Sequence, residues 1–157
     1  MRAVTIILLY LTTWGFSANV TGNDADIDTL YTQLLEAPDE SAAREVETLI
    51  WQRWFQSGNS EVDALMEIAM SQRGVYDFAG ALETLDRVSE MMPDYAEAWN
   101  QRATIHFFRE EYDQSLAAVA ETLVREPRHF GAMAGRVVIR LRQLKPALAR
   151  QNLLEAL

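Results

Sequence analysis

Pro93 and Pro127 stand 34 residues apart, and the residues around them recur at the same interval. Leu65, Trp99 and Met133 fall in one column, and Ala69, Ala103 and Val137 in the next. Phe78, Tyr112 and Pro146 share a third column, Ala81, Ser115 and Ala149 a fourth, and Leu85, Val119 and Leu153 a fifth. A chain with large, small, large, small and apolar positions at a period this short must stack like units on one another. A lone unit has no second layer on which to bury its apolar face.

The periodicity within each unit is helical. Ile27, Leu30, Tyr31, Leu34 and Leu35 recur at three- and four-residue spacing up to Pro38, and Val46, Leu49, Ile50 and Trp54 do the same before Gly58. Ser60 and Asp63 resemble a capping pair at the head of a third helix, which Gly74 ends; Asp94 and Glu97 repeat that arrangement ahead of Trp99. Further helices are predicted to begin at Asp77, Tyr95, Asp113, Phe130 and Pro146, the proline standing where a first turn tolerates it. No stretch alternates apolar and polar residues long enough to propose a strand. The expectation is an all-α chain of eight helices.

This pattern of aromatic, small, aromatic, small, apolar and proline resembles the tetratricopeptide repeat family. The resemblance implies a right-handed superhelix of antiparallel helix pairs. It divides 62–157 into units 62–95, 96–129 and an incomplete 130–157. Residues 26–61 resemble a degenerate capping pair, with Tyr31 in the opening aromatic slot and Trp51 in the larger apolar slot. The stretches Trp99-Asn100-Gln101-Arg102-Ala103-Thr104 and Glu126-Pro127-Arg128-His129-Phe130-Gly131-Ala132 resemble a subgroup associated with alphaproteobacteria and plant organelles, without an assigned enzyme activity.

Composition narrows the functional classes. With 49% apolar and 24% charged residues the chain has the balance of a globular protein. Its formal charge of −9 disfavours binding to a phosphate backbone, so no nucleic-acid partner is expected. The absence of cysteine excludes thiolate catalysis, cysteine zinc sites and disulfides. Met1–Arg2, an apolar run from Ala3 to Leu11 and the small-x-small triplet Gly15-Phe16-Ser17 predict a signal peptide over 1–17 and a polar lead-in over 18–25. That segment implies a secreted or periplasmic protein. Left uncleaved, it would anchor the chain to the inner membrane facing the periplasm, although it is shorter than the ~20 residues a spanning helix needs.

Few residues suggest chemistry. There is no nucleophile elbow, phosphate loop or dinucleotide fingerprint, and the acidic residues have the helical spacing of a solvated face. His106 and His129 lack the spacing of a zinc pair; no enzyme activity, metal or cofactor is expected. His106 is expected to face Glu110, and Arg102 either to pair with Glu126 or another acid near the turn or to offer a polar contact to a partner. Arg128 and His129 form a turn suited either to a backbone hydrogen bond or to an anion at the start of the next helix. Arg136 and Arg140 lie one turn apart and form either a carboxylate grip or a solvated stripe.

The resemblance also implies a concave groove formed by the inner helices. Its lining here would be Met66, Met70 and Arg73, then Asn100, Thr104, Phe107 and Phe108, then Ala134, Val138, Leu141 and Arg142. A surface rich in methionine and phenylalanine suits an amphipathic helix or apolar peptide from a protein partner. A second expectation is self-association, a homodimer formed through the uncapped end at Leu153, Leu154 and Leu157.

Overall fold

A computed structural model describes residues 26–156; the leader at 1–17, the lead-in at 18–25 and Leu157 lie outside the described residues. Eight helices are present among them: α1 (Ile27–Leu35), α2 (Glu40–Trp54), α3 (Ser60–Gly74), α4 (Phe78–Met91), α5 (Ala96–Phe108), α6 (Tyr112–Arg125), α7 (Phe130–Arg142) and α8 (Pro146–Glu155). None is long and apolar enough to cross a membrane.

The small columns explain how the helices pair. Ala69 and Ala103 are buried on α3 and α5, and Ala81, Ser115 and Ala149 are buried on α4, α6 and α8. Without bulk at these positions, α3 packs closely on α4, α5 on α6 and α7 on α8. Ser115 keeps its hydroxyl at no cost, because Oγ donates to the carbonyl of Ala103 at 2.7 Å. The pairs then stack through α4 on α5 and α6 on α7, while α5 also touches α3 and α7. One core joins Val62, Leu65, Met66, Leu85 and Val88 to Ile105, and a second joins Ala103 and Val119 to Ala132 and Ile139. Each fully buried aliphatic side chain of this kind contributes about 1.5–3 kcal/mol.

The turns inside the three pairs are copies of one another. Tyr76, Glu110 and Leu144 take the left-handed conformation, with φ of 62°, 60° and 57°. In each turn the next amide donates five residues back at 2.9 Å, from Asp77 to Gln72, Glu111 to His106 and Lys145 to Arg140. This is a Schellman ending, which satisfies carbonyls that the helix terminus would otherwise leave open. At the start of α3 the cap is Asn59, whose side chain accepts from the amides of Glu61 and Val62, rather than the expected Ser60. Asp63 instead accepts from the amide and hydroxyl of Ser57.

The α1–α2 pair is placed differently. It has its own small core of Leu30, Ile50 and Trp54, and α2 makes no extensive contact with α3. Its aromatic residues reach across to the starts of α5 and α7. The Tyr95 hydroxyl donates to the carbonyl of Trp54 at 2.9 Å, and the Tyr31 hydroxyl to that of Arg128 at 3.0 Å. Trp51 and Trp54 lie against Phe130, with ring centroids 5.5 and 4.7 Å away.

Candidate interaction site

The inner helices α5 and α7 carry two distinct environments. At their N-terminal ends a polar cluster is sealed under α2. Glu97 on α5 is 1% exposed and His129 is fully buried. The amide of Ala132 donates to His129 Nδ1 at 3.1 Å, so the imidazole caps α7. That contact makes Nδ1 an acceptor and puts the ring proton on Nε2, which donates to Glu97 Oε2 at 3.0 Å. Gln101 Nε2 donates to the same carboxylate at 2.5 Å, and Asn100 Nδ2 lies 3.2 Å from both oxygens. Arg73 on α3 donates to Gln101 and extends the chain of bonds across all three inner helices. Trp54 closes the cluster by stacking on the His129 ring, with centroids 3.8 Å apart and planes 9° from parallel.

One turn further along, the same two helices form an open apolar cleft of about 170 Å³. Thr104 and Phe107 line it from α5, and Gly135, Val138 and Ile139 from α7, with Asn100 at the end nearest the polar cluster. A Cβ on Gly135 would meet no atom within 4 Å, so the missing side chain holds the cleft open. By contrast, a Cβ on Gly131 would lie 2.4 Å from the Trp51 ring, so at that position glycine admits α2.

No protein-family model matches the chain. A TPR repeat-containing protein of Rhizobium etli (strain CFN 42) is 35% identical over 113 residues, which make up 72% of this chain. The chain belongs to the tetratricopeptide repeat family. The matched stretch spans about half of the relative, 55% of its length.

Set on this repeat scaffold, the residues read from the sequence separate. Asn100, Thr104, Phe107 and Val138 are brought together around the cleft. Leu141, Arg142 and Ala134 are exposed on the same helix as Val138, and Met70 is half-buried on α3. Met66 does not line a surface; it is buried in the core that α3 shares with α4 and α5. Phe108 is exposed and stacks parallel to Phe78 at 6.2 Å.

The polar expectations shift by a residue or change partner. His106 faces Glu111 at 2.7 Å rather than Glu110, whose left-handed backbone turns it away; that contact and Arg109 hold the Glu111 carboxyl below the usual range. Arg102 pairs with Asp86 on α4 rather than with Glu126. Trp99 is half-buried, with the guanidinium groups of Arg125 and Arg102 4.6 and 5.4 Å from its ring. His129 is not available to an anion, and Arg128 pairs with Asp28 on α1 at 2.7 Å. Arg136 pairs with Glu155, and Arg140 bonds Gln143, so the two form no joint grip.

Glu97, the hub of this cluster, reads in the sequence first as a helix cap. A clue was available in its spacing: an acid at 97 is followed three and four residues on by two amide side chains, which is a hydrogen-bonding triad on one helix face.

Proposed function

We propose that this chain is a non-catalytic adaptor whose α5–α7 cleft receives an apolar side chain of a partner protein or peptide. The open cleft carries the reading. Its volume is comparable to the roughly 150 Å³ that accommodates one benzene ring in a protein interior. Its walls are aliphatic and aromatic apart from a few polar groups, as ligand pockets are. The tetratricopeptide scaffold supports a protein partner, and the acidic net charge argues against nucleic acid. The leader read at 1–17 supports a periplasmic location, free or anchored to the inner membrane; N-terminal sequencing of the mature chain from a periplasmic fraction checks that part.

The test is selection of binders from a random peptide library, followed by titration against Gly135→Leu, which fills the cleft without a clash at Cβ. Selected peptides are expected to share one large apolar residue. The substitution should weaken them by at least roughly tenfold, equivalent to about 1.4 kcal/mol. Undiminished affinity in Gly135→Leu would remove the cleft from the reading.

A further inference from the structure

Three polar side chains line the cleft between α5 and α7, and each has its hydrogens committed elsewhere. The Thr104 hydroxyl donates to the carbonyl of Asn100 at 3.0 Å, and the Ser115 hydroxyl to that of Ala103 at 2.7 Å. Asn100 is the third. Its Nδ2 lies 3.2 Å from both oxygens of Glu97, and a carboxylate only accepts, so the amino end of the amide faces the sealed cluster.

The other end of that amide is a carbonyl oxygen turned away from Glu97. Asn100 is only 9% exposed, and it borders the cleft. Among the described residues no group donates to its Oδ1, yet that atom is not sealed from solvent. The amide is not free to reverse. Turning it would set Oδ1 against the Glu97 carboxylate, which His129 and Gln101 hold in place, and would strip a donor from a buried charge. The sealed cluster therefore decides which end of Asn100 the cleft receives.

An apolar cleft with an unfilled acceptor at one end discriminates among occupants. A hydrocarbon side chain would take Oδ1 out of water and give it no bond in return. A carboxylate would bring acceptor against acceptor, and no residue lining the cleft is charged, so neither an anion nor a cation finds a counter-ion there. A neutral side chain with its own O–H satisfies the oxygen. The size is that of a ring: about 170 Å³ of space, against the roughly 150 Å³ that takes benzene, leaves room for one more atom. Phe107 in the wall adds an aromatic partner for such a ring.

We infer that the cleft is specific for a tyrosine side chain of the partner, whose ring fills the apolar walls and whose hydroxyl donates to Asn100 Oδ1. The inference rests on the cleft being the binding site and adds the chemistry of its occupant. Asn100 makes the choice, and Glu97 and His129 act through it as positioning residues.

Titration of p-cresol, toluene and 4-methylbenzoate into the full chain, followed by the NMR methyl signals of Val138 and Ile139, tests the inference. p-Cresol should bind about three- to tenfold more tightly than toluene, the worth of one net hydrogen bond, and 4-methylbenzoate should not bind measurably. Gly135→Leu should weaken p-cresol and toluene alike, which locates both in the cleft. Asn100→Leu leaves Glu97 two donors, so circular dichroism should show it folded; in this variant toluene should bind at least as tightly as p-cresol. Should that variant fail to fold, the ranking of the three probes on the wild-type chain decides alone. Toluene bound as tightly as p-cresol by the wild type overturns the inference and leaves the cleft as a binding site. A preference for p-cresol that persists in Asn100→Leu, or binding of 4-methylbenzoate in the cleft, overturns it as well. Binding of no probe removes the cleft reading and the inference with it.

Discussion

The N-terminal ends of α5 and α7 and the turns that follow them are built on opposite principles. The first holds Glu97 and His129, buried and fully hydrogen-bonded beneath Trp54. The second holds Thr104, Phe107 and Val138 around an open cleft. In each, a glycine on α7 sets the outcome: Gly131 lets α2 approach, and Gly135 leaves space unfilled. The same repeat surface can therefore be closed by a segment of its own chain or left for a partner, depending on what stands four residues along one helix.

Breaking the covered end should have the largest effect. His129→Ala removes the α7 cap, a donor to a buried carboxylate and the stacking surface for Trp54, and is expected to cost about 3–5 kcal/mol in urea denaturation. A loss below about 1 kcal/mol would mean that the cluster is not sealed. Gly131→Leu should cost about 1–3 kcal/mol, since the Trp51 ring must move to admit it. Hydrogen exchange should locate that loss in α1 and α2 and spare α5 and α6; uniform loss would make the α1–α2 pair inseparable from the array. Gly135→Ala sharpens the comparison from the other side. It meets nothing and improves helix propensity, so a gain of about 0.5–1 kcal/mol in the same assay is expected.

The eight helices and their pairing were legible because both follow from short-range rules. Ala81, Ser115 and Ala149 are small where helices must touch, and Pro93 and Pro127 end units at a fixed interval. The placement of α1 and α2 was not legible. Trp51 and Trp54 suit an in-line stack on α3 as well as the contact they make with His129 and Phe130, and no local pattern distinguishes the two. Met66 was assigned to the groove because helical spacing gives a direction without saying what packs against it. Glu97 was taken as a cap because acids at helix starts usually face water. Its burial depends on three donors, one of which comes from a residue 32 positions away.

The three left-handed turn residues have a consequence for engineering. Tyr76, Glu110 and Leu144 each hold a conformation that costs an L-residue roughly 1–2 kcal/mol and a glycine little. All three are exposed, so their side chains contribute little packing to offset that cost. The array thus carries, at three equivalent hinges, a reserve that glycine substitution can release without touching either the sealed cluster or the cleft. A thermostable version of this scaffold could begin at its turns, with its binding chemistry left unaltered.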